Sequence, residues 1–200
     1  MPPTRLTVLG DSFVEGRGDP APEGGYRGWV PRLADLLGLP AGSVRNLGAH
    51  GATTQDVLDH QIGRALVGKP PLIGVVVGVN DLVSDYDPAR FRANLNEIFS
   101  VLCGMDTVVF TADYPDIPSN LPVPEGFRRL MQGRFAEANA AMRAAAASTG
   151  ALCLDLAGAP EWRPGPAWSS DGLHPSPEGH QRFAASMAEL VARDTGLVAA

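Results

Sequence analysis

Two hundred residues, 44% of them hydrophobic and 19% charged, are enough for one α/β domain with its own core and exclude a fibrous or disordered chain. The net charge of −6 argues against nucleic acid or an anionic membrane surface as the main partner, since polyanions recruit basic patches. Apart from Lys69 the basic side chains are arginines, a bias that reflects genome composition rather than function.

In chain order, Leu6 to Leu9 reads as a first strand and runs directly into Gly10-Asp11-Ser12. An export signal needs a charged start, an apolar run and a cleavage site, and finds no room before it; a cytoplasmic location is expected. Val44 to Leu47 is a second strand, followed by Gly48-Ala49-His50-Gly51. The stripe Leu58, Ile62, Ala65 and Leu66 predicts a helix, and Leu72 to Val77 a third strand ending in Gly78-Val79-Asn80-Asp81. Phe91, Leu95, Ile98, Phe99 and Leu102 share a helical face, and Thr107 to Thr111 is a fourth strand. A loop from Asp113 to Phe127, holding Pro115, Pro118, Pro122 and Pro124, precedes the stripe Met131, Phe135, Ala138, Met142 and Ala145. A fifth strand, Ala151 to Leu156, then leads to Asp171-Gly172-Leu173-His174-Pro175 and to a last helix with Phe183, Met187, Leu190 and Val191 inward. Such stripes are core-facing and carry no function of their own.

Strands alternating with helices imply a mainly parallel sheet covered on both faces, and right-handed crossovers make it a three-layer α/β/α sandwich. No repeat, linker or composition break divides residues 1–200, so a single domain is expected. No apolar stretch approaches the length of a membrane span. Cys103 and Cys153 sit in apolar surroundings and form no metal-type pair, so both are expected reduced and buried.

Ligands of open parallel sheets bind beyond the carboxyl ends of the strands, where these glycine-containing segments fall. A serine hydroxyl needs a base within hydrogen-bond reach, commonly a histidine held in one tautomer by a carboxylate. Asp171 and His174 lie in a segment that Gly172 and Pro175 keep from being a regular helix. A turn there can set the carboxylate against one ring nitrogen while the other faces Ser12. Donors for a developing oxyanion are available from the N–H groups of Ser12 and Gly51 and the side-chain amide of Asn80.

These segments together resemble the conserved blocks of the SGNH (GDSL-like) hydrolases. Gly10-Asp11-Ser12, extended through Phe13-Val14-Glu15-Gly16, is similar to the first block. Asn46 to Thr54 is similar to the second, whose last glycine maps to Gly51 rather than Gly48; Gly78-Val79-Asn80-Asp81 resembles the third, and Asp171 to Pro175 the fifth. The resemblance implies a five-stranded flavodoxin-like sheet with a shallow site. It further implies cofactor-free, metal-independent ester or thioester hydrolysis through an acyl-enzyme. His50, beside the oxyanion glycine where small residues are common in the family, is a departure; it can narrow the pocket or contact substrate.

Each segment has a plainer reading. Ser12 could cap the turn after the first strand, Asn80 could be a turn residue before a helix-capping Asp81, and His174 could be a surface histidine. Asp11 is read as structural, accepting backbone hydrogen bonds. His60 and His180 are read as exposed helix residues, and Trp162 and Trp168 as anchors of the 171–175 loop. Gly63 to Lys69 imitates a phosphate loop, but Pro70 replaces the required hydroxyl residue. Gly16 to Ala21 imitates a dinucleotide fingerprint, but Pro20 and Pro22 block the helix start. No Gly-x-Ser-x-Gly elbow and no His-Glu-x-x-His or paired Cys-x-x-Cys occurs. The expectation is a serine esterase for a short acyl or acetyl ester of a sugar or small metabolite. An acyltransferase with the same triad and a non-catalytic binding domain are the alternatives, and oligomeric state is not legible.

Overall fold

A computed structural model describes residues 5–196 other than 41 and 105. Among them, strands β1 (Leu6–Gly10), β2 (Val44–Asn46), β3 (Leu72–Val76), β4 (Val108–Ala112) and β5 (Leu152–Leu154) pair in parallel in the order β2-β1-β3-β4-β5. Every residue of β1 and β3 is buried, as expected of central strands covered on both sides, whereas the edge strands β2 and β5 are partly exposed. The edge strands are also shorter than their apolar runs, because each has a hydrogen-bonding neighbour on one side only.

The helices are α1 (Ser12–Glu15), α2 (Trp29–Leu36), α3 (Thr54–Asp56), α4 (Ile62–Ala65), α5 (Val79–Val83), α6 (Pro88–Cys103), α7 (Glu125–Thr149) and α8 (Pro177–Thr195). A π-helical stretch, Val57–Gln61, joins α3 to α4. Their ends follow from local chemistry. Asp87 and Ser176 cap α6 and α8 through side-chain oxygens, each followed by a proline whose missing N–H costs nothing at that position. Gly150 ends α7 in the left-handed conformation.

Two apolar layers result. On one face Val57, Ile62, Phe91, Leu95, Phe99, Phe135 and Met142 pack from α3–α4, α6 and α7; on the other, Trp29, Leu33, Phe183 and Met187 pack from α2 and α8. Helix α2 has no counterpart in the apolar stripes of the sequence. Pro31 interrupts it, yet falls in the first turn, where an N–H has no helical partner to lose. The loop from Asp113 to Phe127 is also less irregular than its prolines suggest: Asp116 caps a 3₁₀ turn over Ile117–Asn120, and α7 already begins at Glu125. Cys103 and Cys153 are free but only half-buried, not fully enclosed. No described helix is long and apolar enough to cross a membrane.

Candidate active site

The strand order reverses between β1 and β3, and a crevice opens there because the connections leave in opposite directions. The turn after β1 carries Ser12, and the turn after β3 carries Asn80. Ser12 is the first residue of α1, but the cap is Asp11, whose carboxylate accepts the Phe13 N–H at 2.9 Å. The Ser12 hydroxyl is therefore left for another partner. Its Oγ lies 2.9 Å from His174 Nε2, across 162 residues of chain.

His174 Nδ1 lies 2.7 Å from Asp171 Oδ2. A carboxylate only accepts, so this bond assigns the ring proton to Nδ1 and leaves the Nε2 lone pair for the Ser12 O–H. The other Asp171 oxygen accepts from Ser169 Oγ at 2.8 Å and from the N–H groups of Leu173 at 2.8 Å and His174 at 2.9 Å. Partial burial alone would raise the Asp171 carboxyl. The His174 ring, the His174 and Leu173 amides and Ser169 outweigh it and hold the group well below the usual carboxylate range. The turn anchors an ionised Asp171, half-exposed, beside a His174 side chain that is only 13% exposed.

Asn80 is neither a turn filler nor followed by a cap. It lies inside α5, and its Nδ2 donates to the Ala52 carbonyl at 2.9 Å. Asp81 reaches away from its own helix to accept from Thr54 N at 2.9 Å and Thr54 Oγ1 at 2.6 Å. Those bonds tie the segments after β2 and β3 to each other, and Thr54 Oγ1 also accepts from Asn94 Nδ2 of α6 at 3.0 Å. Of the two glycines in the second segment, Gly48 gives its N–H to Asn46 Oδ1 at 2.8 Å, and a Cβ there would lie 2.3 Å from Glu15 N. Gly51 has open space around its Cα but φ +77°, and its N–H has no partner among the described residues. Backbone conformation rather than crowding demands glycine at 51.

An apolar cleft opens beside Ser12 and His174, bounded by Val79, Ile117, Leu156, Trp162, Trp168 and Leu173. Trp168 donates its indole N–H to the Trp162 carbonyl at 3.1 Å and meets the Trp162 ring edge-on, so both tryptophans brace the loop and also wall the cleft. His50 is exposed and, like Gly51, is not part of the cleft lining. Among the described residues no three His, Cys, Asp or Glu side chains converge as a metal set.

The sequence profile of the GDSL-like lipase/acylhydrolase family matches residues 8–182. The chain belongs to this family. It is accordingly a carboxylic ester hydrolase. Among solved structures, a lipase/acylhydrolase from Enterococcus faecalis superimposes with a TM-score of 0.73 at 26% identity, covering 96% of each chain. An α/β hydrolase enzyme from the metagenome of Lake Arreo gives 0.72 at 20% identity over 98% of this chain and 97% of that one. An acetyl xylan esterase variant from Geobacillus stearothermophilus gives 0.68 at 19% identity over 97% and 95%. No curated protein matches the sequence.

One histidine of this GDSL-like hydrolase departs from the expectation. His180 is not an exposed helix residue but fully buried on α8. Its Nε2–H donates to the Arg17 carbonyl at 2.8 Å, its ring packs 5.2 Å from that of Phe13, and its Nδ1 is buried without a partner. Burial pushes the imidazole down to about 4 despite the bond to Arg17, so it is a neutral packing group. A helical stripe of Phe183, Met187 and Val191 contains position 180 one turn earlier, and that spacing was the available signal. Asp11 is structural, as read, and buried. Burial, helped by the charge of Asp81, raises its carboxyl to about 7 against the opposing pull of the Phe13 N–H.

Proposed function

We propose that Ser12 is the nucleophile, His174 its base and Asp171 the orienting carboxylate of an esterase for short acyl esters, such as the acetyl esters of a sugar or small metabolite. The observation that carries the reading is the continuous pair of hydrogen bonds from Ser12 Oγ to His174 to Asp171, at 2.9 and 2.7 Å. As Ser12 Oγ bonds to the acyl carbon, its proton passes to His174 Nε2 and the carbonyl electrons move to oxygen. Ser12 N–H, Gly51 N–H and the second amide hydrogen of Asn80 would receive that oxygen. Collapse breaks the ester C–O bond, and the imidazolium returns its proton to the leaving alkoxide. Water then repeats the cycle on the acyl-enzyme, giving its proton to His174, and release of the carboxylic acid restores Ser12.

Two features support a short acyl group. The cleft, at about 50 Å³, has room for a few water-sized groups and is walled by rigid indoles. A structural neighbour over nearly the whole chain is an acetyl xylan esterase. A panel of p-nitrophenyl esters from acetyl to octanoyl tests the reading. Highest kcat/KM on acetyl or propionyl, with turnover lost in Ser12→Ala, is the expected result. A specificity that climbs steadily to octanoyl would discard the short-acyl assignment, and an active Ser12→Ala protein would discard the nucleophile.

A further inference from the structure

On the β2 side of β1, hydrogen bonding to β2 and the segment after it includes Leu47 N to Val8 O at 2.8 Å and Ala49 N to Gly10 O at 3.1 Å. The Gly10 N–H faces the same side beyond the end of β2, and a third element meets it. Gln61 accepts the Gly10 N–H on Oε1 at 2.8 Å and donates from Nε2 to the Gly10 carbonyl at 2.9 Å. Its side-chain amide stands in for the peptide group of a missing strand. Gln61 is only 3% exposed, so neither bond is shared with solvent.

The π-helical stretch is what delivers this side chain. In a regular α-helix, at about 100° per residue, Ile62 would point about 140° away from Val57. Here the Ile62 N–H bonds back to the Val57 carbonyl, and the wider turn lets Val57, Gln61 and Ile62 all face the sheet and become buried. The turn thereby accommodates a buried glutamine between two core aliphatics.

We propose that Gln61 is a positioning residue for ester hydrolysis, holding the Gly10 backbone from which both the Ser12 turn and the Gly51 loop are hung. Gly10 is two residues before Ser12, and its carbonyl also receives the Ala49 N–H, two residues before Gly51. Fixing the two peptide groups that flank Gly10 fixes the spacing of the nucleophile and of the two backbone donors. This rests on the roles proposed above for Ser12 and Gly51.

The test compares wild type, Gln61→Met, Gln61→Glu and Ser12→Ala, assayed with p-nitrophenyl acetate well below each melting temperature. Gln61→Met keeps the side-chain length and removes both bonds. Its kcat should fall about 10- to 100-fold, the scale of a misplaced reacting group, with KM within about twofold. The rate at which an organophosphate labels Ser12 should fall by a similar factor. Gln61→Glu keeps an acceptor for the Gly10 N–H but its carboxylate cannot donate to the carbonyl, so its kcat should lie between the two. A folded Gln61→Met protein with wild-type kcat and labelling rate overturns the proposal, as does a loss fully explained by its unfolded fraction. Should Gln61→Met not fold, a folded Gln61→Glu protein with undiminished kcat overturns it and one with reduced kcat supports it. An active Ser12→Ala protein instead overturns the underlying catalytic reading, whatever Gln61 does.

Discussion

Asn80 spends one of its two amide hydrogens on the Ala52 carbonyl at 2.9 Å, and that bond aims the other. If the second hydrogen meets an oxyanion, Asn80→Ala should lose about 2.7–4 kcal/mol of transition-state stabilisation, on the order of 100- to 1,000-fold in kcat. KM should hardly move, because the charge is absent from the bound ester. Asn80→Asp should be at least as slow, since a carboxylate would face both the Ala52 carbonyl and the oxyanion. Steady-state kinetics with melting temperatures for the pair decide this; a loss of stability with kcat intact would remove Asn80 from the chemistry. His180 makes a different prediction, about stability. His180→Ala should cost about 2–4 kcal/mol, through the lost ring packing and an unpaired Arg17 carbonyl. The folded protein holds His180 neutral down to about 4, while an unfolded histidine takes its proton near 6.5. Between those values the unfolded chain binds more protons, so this contribution is complete above about 6.5 and is lost as pH falls towards 4. Melting curves of wild type and His180→Gln should therefore converge on acidification. Parallel curves over that range would show that His180 does not titrate as its burial requires.

At the scale of elements, the same device occurs at two strand ends. Just beyond β4, Asn139 of α7 accepts the Tyr114 N–H at 2.7 Å and donates to the Tyr114 carbonyl at 2.8 Å, as Gln61 does for Gly10. Tyr114 in turn donates its hydroxyl to the Val77 carbonyl at 2.6 Å, directly before the turn that carries Asn80. Parallel strands end at staggered levels, and each unpaired peptide left inside the protein must find an acceptor or donor. Amides on the covering helices meet that need and tie helix position to loop position. Tyr114→Phe should cost about 1–3 kcal/mol, because it leaves the buried Val77 carbonyl unpaired. Urea denaturation measures the loss; an unchanged midpoint would mean that the bond contributes nothing net.

Over the whole molecule, one sheet separates two apolar layers that do not contain one another's side chains. Trp29 and Trp162 belong to the α2–α8 layer, and Trp168 packs against both. Phe99 lies wholly within the other layer and is fully buried. If the chain unfolds as one unit, Phe99→Ala should destabilise by about 3–5 kcal/mol and lower the tryptophan-fluorescence and circular-dichroism midpoints together. A fluorescence transition that stays at its wild-type position while circular dichroism shifts would divide the chain into independent parts.

Periodicity and punctuation determined much of this protein without reference to its fold. The apolar runs that became β1 to β5, the stripes of α6, α7 and α8, and the segments around Ser12, Asn80 and His174 are all local patterns. They are legible because a strand or helix buries residues at its own period. The glycine segments and the Asp171-to-Pro175 segment were legible as candidates because the chemistry proposed for them restricts residue type. What remained hidden depends on partners far along the chain. Nothing near Gln61 announces a bond to Gly10, 51 residues away, and nothing near His180 announces the Arg17 carbonyl, 163 residues away. A glutamine or histidine on a helix is exposed by default, and only the arrival of an unpaired backbone group makes burying it favourable. The choice between Gly48 and Gly51 is of the same kind. Both are glycines in one turn, and only the tertiary structure shows that the N–H of Gly48 is engaged by Asn46 while that of Gly51 is unpaired among the described residues, which supports the role proposed for Gly51.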